Sequence, residues 1–230
     1  NSRTPLIVIT IVAIITQVIV WVYAPVESMW VAGFDYVLRI GIFIIALGIG
    51  LFVNDIYRKR LRENSLQIKQ QKFISDISFI FANLNLANID DKINDILQQI
   101  GNFFTADRVY IFMINPASNI MTYTHEWHRE GVTPYLGIIP ALSLETFPWS
   151  KRQLESNKLI YIDNQDQLPE EAAAEKMRAI KGGIKSVAAV PLYEKDTLIG
   201  FIGLDLIVSS PTWLESHLQL LEIISTQLSD

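Results

Sequence analysis

An uncharged apolar run near the N-terminus limits what this chain can fold into. Residues 4–26 read TPLIVITIVAIITQVIVWVYAPV and contain no charged side chain. A helix needs about 20 such residues to cross a hydrocarbon core of roughly 30 Å. The alternative is a secretory signal peptide, but the run is longer than the apolar part of such peptides and no A-x-A-like cleavage site follows. We therefore predict a first transmembrane helix at about residues 5–25.

A second apolar run, YVLRIGIFIIALGIGLFVN, occupies residues 36–54 and contains one charge, Arg39. Arg39 follows Asp35 by four residues, so the two side chains can pair on one helix face, or Arg39 can snorkel to the interface. An intramembrane arginine with a function of its own is the alternative. We predict a second span at about residues 36–56, so that residues 1–57 form a transmembrane hairpin.

Charges and aromatic residues around the runs predict the orientation of this hairpin. The basic cluster of Arg58, Lys59, Arg60 and Arg62 follows the second run, and the positive-inside rule places it in the cytoplasm. Aromatic residues typical of a membrane interface cluster around the short connection between the two runs, namely Trp21, Tyr23, Trp30 and Tyr36. The connection is too short for an extracellular sensor domain. We predict a multi-pass protein of the inner (cytoplasmic) membrane, with its N-terminus and its larger domain in the cytoplasm.

The composition of the rest of the chain excludes several kinds of protein. Residues 1–72 carry 8 basic and 4 acidic side chains, whereas residues 73–230 carry 11 basic and 20 acidic ones. An acidic domain without a basic stripe is a poor partner for nucleic acid, so we expect none. The chain has no cysteine, which excludes disulfides, thiolate catalysis and cysteine-ligated zinc.

The periodicity after the second run predicts an α+β domain. Residues 58–72 lack Pro and Gly and continue the helix as a cytoplasmic linker, and apolar residues at helical spacing follow from Phe73. Strand-like runs predict a central, mostly antiparallel sheet, with a hairpin first and helices clustered at the ends. The predicted strands are residues 108–114, 120–128, 158–163, 185–193 and 197–208, and the later helices are 150–156, 169–180 and 213–228.

Residues 73–230 resemble a GAF domain, a small-molecule-sensing fold of bacterial signalling proteins. The resemblance rests on GNFFTADRVYIFMIN, on Glu126–Trp127, on FPW at 147–149, and above all on the GIKS…VPL…LIGFIG spacing within residues 168–205. It implies a GAF/PAS-like antiparallel sheet flanked by helices. Two spans, a linker helix and such a domain resemble the input half of a sensor histidine kinase or a diguanylate cyclase. We therefore expect a fragment of a longer receptor whose catalytic output domain lies beyond the C-terminus, and no catalysis in residues 1–230.

The resemblance implies a ligand between the sheet and the irregular segments 129–150 and 161–184. An apolar pocket with a few polar groups suits a small molecule. Aromatic candidates for its wall are Trp127, Phe147, Trp149 and Tyr161, with Asp163 and Ser186 as polar contacts. The alternative for the aromatic residues is plain core filling under the long loop. The identity of a cofactor stays unknown, but without cysteine neither a covalently attached bilin nor the methionine sulfoxide reductase chemistry of this fold is possible.

The stretch THEWHREG, residues 124–131, looks at first like a metal site. His125 and His128 are three apart, however, and on a strand such residues point to opposite faces. We predict that both are structural and that His217, on a helix, completes no site, so we expect no metal. On this reading His125 shares a face with Tyr123 and Trp127.

Two functions remain open from the sequence. In the first, the domain binds a small molecule and passes the signal through its terminal helices to an output domain. In the second, the domain is a ligand-free dimerisation and relay element, and the hairpin senses a signal or binds a partner. Both predict a parallel homodimer through the helices Phe73–Leu84 and Leu214–Leu228, with the lipid bilayer as a further partner.

Overall fold

The computed structural model describes residues 3–23, 29–83, 88–164, 166, 168–208 and 215–229. Within it the chain forms two compact units, residues 1–69 and residues 70–230. The first unit is helical. The second holds a sheet with helices on both faces.

The first unit consists of α1 (Arg3–Val22) and most of α2 (Met29–Ala82). With no Pro in its 54 residues, α2 runs without a break through the predicted second span and the predicted linker. The segment Val37–Ala82 is long and apolar enough to cross a membrane, and its most apolar window is 0% buried.

Of the two predicted spans, the second is supported by the structure and the first is not. By length and composition, the described residues contain one helix able to cross a membrane, and the first run gives only a shorter apolar helix, Ile7–Val20. The side chains of Trp21, Trp30, Asp35 and Tyr36 lie outside the described part, as does Pro25.

The second unit begins with the end of α2 and continues as α3 (Ile89–Phe104), β1 (Arg108–Asn115) and β2 (Ile120–His128). A two-residue strand, β3 (Leu142–Ser143), precedes α4 (Pro148–Glu155) and β4 (Ile160–Ile162). Then come α5 (Ala173–Lys181), β5 (Ser186–Glu194), β6 (Thr197–Leu206) and α6 (Glu215–Ser229). The strands form one antiparallel sheet in the order β3-β2-β1-β6-β5-β4. The predicted α+β class and antiparallel sheet are confirmed.

The sheet separates two apolar cores. On one face, which we call the helical face, the end of α2, α3 and α6 pack over β1, β5 and β6 through Ile77, Ile100 and Leu221. On the other, which we call the cavity face, residues such as Phe112 and Phe201 pack under α4 and the irregular segments. Alternation along each strand decides which core a residue joins.

A β-bulge in β2 changes that alternation. Ile111 pairs with His125 but Phe112 pairs with Tyr123, so Thr124 is an extra residue in β2. Tyr123 belongs to the cavity face, whereas Trp127 packs into the core of the helical face. The prediction that His125 and Trp127 share a face with Tyr123 is therefore wrong, because the bulge moves every residue after Thr124 to the opposite side.

A glycine on α3 makes room for the displaced Trp127. A Cβ built on Gly101 would lie 2.0 Å from Cζ3 of the Trp127 ring, far inside contact distance. The ring therefore packs directly against the helix backbone, which brings α3 close to β2.

Candidate functional site

The candidate site is a cavity of about 100 Å³ on the cavity face of the sheet, covered by α4 and α5. Most of its wall is apolar, with Leu144, Ile160 and Phe201 among its residues. Five ionisable residues also line it, namely Tyr110, Glu175, Arg178, Lys185 and Asp205. The enclosure is apolar with a few polar groups, as small-molecule sites commonly are.

Two of the six predicted pocket residues line this cavity, Phe147 and Ser186. Trp149 packs against the core of the cavity face outside the lining, and Asp163 is half-buried just beyond β4 and also outside it.

The remaining two predicted residues, Trp127 and Tyr161, pack on the helical face, so they cannot contact a ligand in the cavity. The bulge at Thr124 moves Trp127 there. Tyr161 is turned away by ordinary strand alternation, which instead presents its neighbours Ile160 and Ile162 to the cavity.

A buried ion cluster centred on Arg108 borders the cavity through Asp205. Its guanidinium lies 3.1 Å from an Asp205 oxygen and 3.1 Å from a Glu126 oxygen, and all three side chains are at most 2% exposed. The contact with Asp205 is a hydrogen bond from Nη1, and Nη2 donates to the Thr133 carbonyl at 2.7 Å. Arg108 also stacks on the Tyr135 ring, 3.7 Å from its centroid. The cluster thus joins the sheet to the irregular segment after β2.

Glu126 holds the same segment through its backbone. Its carboxylate accepts hydrogen bonds from the Tyr135 N–H at 2.8 Å and the Leu136 N–H at 2.6 Å. The bulge makes this possible, because it turns Glu126 toward the cavity face when Trp127 turns away. The Glu126–Trp127 pair therefore contributes to both faces of the sheet.

Asp205 is the member of the cluster that reaches the cavity. One of its oxygens accepts from Arg108 and the other accepts from the Tyr110 hydroxyl at 3.2 Å. Burial raises the pKa of Asp205 to about 6, although Arg108 and Arg178 oppose the rise. Burial and the nearby Asp205 charge raise the pKa of Tyr110, so its hydroxyl stays protonated and donates.

The cluster requires a close approach of β6 to the Tyr110 ring. A Cβ built on Gly203 would lie 2.2 Å from the ring carbon Cζ. Any larger residue at Gly203 would push Tyr110 out of reach of Asp205.

Two further charged residues reach the cavity from α5. Oε1 of Glu175 accepts from the Ser150 N–H at 2.9 Å, in the first turn of α4. Arg178 lies between two rings, with its guanidinium carbon 5.5 Å from the centroids of Phe112 and of Phe147. Together these contacts fix both helices over the cavity.

The sequence reasoning missed these charged residues. A signal was present for Arg108 and Asp205, because each is the one charge within a strongly apolar strand run, RVYIFMI and TLIGFIGLDLIV. No comparable signal marks Glu175 and Arg178, which sit in a helix with several other charges.

The histidines lie away from the cavity lining. Nε2 of His125 is 3.2 Å from an Asp90 oxygen at the start of α3, and Nδ1 is 3.0 Å from the Thr124 hydroxyl. His128 contacts the Arg129 carbonyl, and burial lowers the pKa of His217 on α6. Across the described residues, no group of three or more His, Cys, Asp or Glu side chains is placed to hold a metal ion.

Comparison with known proteins agrees with this architecture. Over 140 residues the chain is 31% identical to the methanogenesis regulatory histidine kinase FilI of Methanothrix harundinacea (strain 6Ac), covering 59% of this chain but only 16% of that kinase. A phycocyanobilin-bound GAF domain from a cyanobacterial phytochrome superposes with a TM-score of 0.59 at 20% identity, covering 70% of this chain and 91% of that one.

The chromophore-binding domain of a Stigmatella aurantiaca phytochrome gives a TM-score of 0.58 at 14% identity, over 70% of this chain and 59% of the other. At such identities these two structures show the fold alone. The family model for the GAF domain matches residues 88–230, more than half of the chain. The chain therefore belongs to the GAF domain family.

Proposed function

We propose that this chain is the sensory input part of a membrane-anchored signalling receptor, in which the GAF domain binds a small molecule in its cavity. The observation that carries the proposal is the cavity itself, which is mainly apolar but has ionisable residues from β1, α5, β6 and the segment between α5 and β5. Such a set of charges is costly to bury, and a ligand that pairs with them would offset part of that cost.

The identity of the ligand is constrained by size and chemistry. One of the similar structures is a GAF domain with bound phycocyanobilin, which is a large tetrapyrrole. Covalent attachment of such a molecule through a thiol is impossible in a chain without cysteine. A cavity of about 100 Å³ favours a much smaller molecule.

We propose that the signal leaves through the helices at the two ends of the domain. The end of α2 and α6 share the core of the helical face and are joined by a hydrogen bond of 3.0 Å from Gln227 to Ser78. A ligand can shift the packing of these helices only if it binds one arrangement more tightly than the other.

The relative FilI is a regulatory histidine kinase by name, which supports a kinase as the output domain; a diguanylate cyclase is the alternative. The coding sequence beyond residue 230 decides between them.

A homodimer through the same helices is part of the proposal. Phe73 and Ile77 of the predicted α2 stripe are buried in the core of their own domain. The residues free for a partner are instead Phe79, 71% exposed, and Ile223, 47% exposed. Leu84 and Leu214, the outer limits of the predicted interface, lie outside the described residues.

The proposed membrane anchor rests on α2, whose most apolar window is 0% buried. The proposed second span by α1 rests on the sequence of the first apolar run. The cysteine-free chain allows a direct test with single cysteines and a membrane-impermeant maleimide. With both spans, Ser2→Cys and Ser65→Cys are labelled from the cytoplasmic side and Glu27→Cys from the outside. Labelling of Ser2→Cys from outside would leave α2 as a single span, and labelling of all three from one side would refute the anchor.

Ligand sensing is tested by native mass spectrometry on the 230-residue chain, purified from its host in detergent micelles. A retained small molecule, released by substitution of cavity residues, supports the sensory function. A chain free of added mass that also shows no thermal shift with host metabolite extracts would favour the relay function.

A further inference from the structure

Two charged side chains on α5 face the cavity one helical turn apart. Glu175 and Arg178 stand at positions i and i+3, which share a face, and both line the cavity. They have opposite charges, yet no hydrogen bond or ion pair joins them in the part of the chain that the structure describes. Each therefore offers unused bonding capacity to the same small space.

Glu175 offers an acceptor. The residue is 9% exposed, and its Oε1 is already occupied by the Ser150 N–H. Its Oε2 is buried and has no hydrogen-bond partner among the described residues. Such orphaned buried acceptors are uncommon, and each calls for a donor that the protein itself does not provide. Other orphaned atoms belong to Asp107, Arg108, Tyr123 and Gln227, and none of these four residues lines the cavity.

Arg178 offers donors. Its guanidinium is held between the rings of Phe112 and Phe147, and within the described chain its N–H groups donate to no acceptor. Asp205, the other cavity carboxylate, already accepts from Arg108 and Tyr110. A guanidinium fixed between aromatic faces is well suited to bind a carboxylate through two parallel N–H···O hydrogen bonds.

The rest of the space limits the size of the ligand. An engineered cavity of roughly 150 Å³ accommodates benzene, with six non-hydrogen atoms. This cavity is about 100 Å³ with apolar walls such as Leu144 and Ile160, so the ligand is a molecule of similar or smaller size with a short apolar part.

We propose that the cavity binds a small α-amino acid, whose ammonium group donates to Glu175 Oε2 and whose carboxylate accepts from Arg178. A simple carboxylic acid would leave Glu175 without a donor and bring a second negative charge beside it. A simple amine would leave the Arg178 donors unused. The proposal deepens the sensory function proposed above and rests on it.

The test uses the 230-residue chain in detergent micelles and three probes: L-alanine, propionate and ethylamine. Propionate lacks the ammonium group, and ethylamine lacks the carboxylate. Binding is measured by isothermal titration calorimetry and by the shift in thermal unfolding temperature. We expect alanine to bind at least about tenfold more tightly than either fragment, since each fragment leaves one charged group of the site unpaired.

Two variants and two matched controls locate the binding. Glu175→Gln keeps an acceptor for Ser150, so the fold is preserved, but it removes the charge that attracts an ammonium. Arg178→Gln removes the guanidinium that would bind the carboxylate. Glu170→Gln and Lys181→Gln make the same charge changes at exposed positions beside and at the end of α5. We expect a loss of alanine affinity of roughly tenfold or more in the first pair and no change in the controls.

Three results would overturn the assignment. Equal binding of alanine and propionate, unchanged affinity in both cavity variants, or no binding of alanine each exclude this ligand class. A different molecule retained by the purified chain would at the same time leave the sensory function standing. Only the absence of any retained or added ligand would count against both.

Discussion

Arg108 provides the positive charge that compensates two buried carboxylates. It is paired with Asp205 and Glu126, both almost fully buried. Removing one partner from a buried ion cluster costs more than the cluster contributes, because the remaining charges are left without compensation.

The variant Arg108→Met keeps the length and apolar contacts of the side chain but removes its charge. We expect it to lower the free energy of unfolding by about 3–5 kcal/mol, measured by urea unfolding in detergent micelles. The control is Arg152→Met, which breaks an exposed pair with Glu171 and is expected to cost less than about 1 kcal/mol. Equal effects of the two substitutions would show that the cluster contributes no more than a surface pair.

Asp205 predicts a distinct dependence of stability on pH. Its pKa is raised from 3.8 to about 6 in the folded protein, so between these values the folded state binds more protons than the unfolded state. Stability from this group is therefore greatest at low pH and falls as pH rises through about 6.

A comparison of wild type with Asp205→Asn isolates this effect. The pH dependence of stability that comes from the other carboxylates is shared by the two proteins and cancels in their difference. We expect wild type to gain stability relative to the variant by on the order of 2–3 kcal/mol as pH falls from about 7 to about 4. Urea unfolding across this range provides the measurement. A difference that stays constant with pH would mean that Asp205 has the same pKa in both states.

Among the elements, β2 shows where sequence reasoning reaches its limit. The alternation of apolar residues predicted the strand and its hairpin with β1, since that signal is spread over many residues. The bulge at Thr124 depends on a single unpaired residue, and no residue type in THEWHREG marks it. One such residue exchanges the two faces for the whole second half of the strand, which is why Trp127 was assigned to the pocket and Glu126 was overlooked. The strand β3 was missed because two residues carry no periodicity.

The close contact between α3 and β2 is testable through Gly101. The variant Gly101→Ala places a methyl group inside the Trp127 ring position, and we expect a loss of about 1–3 kcal/mol in unfolding free energy. The double variant with Trp127→Leu is the control. If the clash is the cause, the two substitutions together cost less than the sum of their separate effects.

At the scale of the whole molecule, one continuous helix, α2, belongs to both the apolar helical unit and the unit that contains the GAF domain. The family, the fold class and the order of the elements of the GAF domain other than β3 could be predicted from the sequence, because apolar periodicity and a spaced motif encode them over long stretches. The site could be predicted only in part. Its charged residues come together from β1, β2, α5 and β6, and nothing local in the sequence shows that these distant charges meet at one buried place.

The proposed homodimer is the feature on which signalling between two chains would depend. Phe79 and Ile223 are apolar side chains left exposed on the two helices that share one core. We expect the double variant Phe79→Glu, Ile223→Glu to convert a dimer into a monomer in analytical ultracentrifugation of the detergent-solubilised chain. The matched control is Met177→Glu, an equally apolar and 58% exposed position on α5, outside the proposed interface. Because all three side chains are exposed, the substitutions leave the core of each protomer intact and the far-ultraviolet circular dichroism unchanged. A wild-type chain that is monomeric at every concentration, or a dimer that survives both glutamates, would move the interface away from α2 and α6.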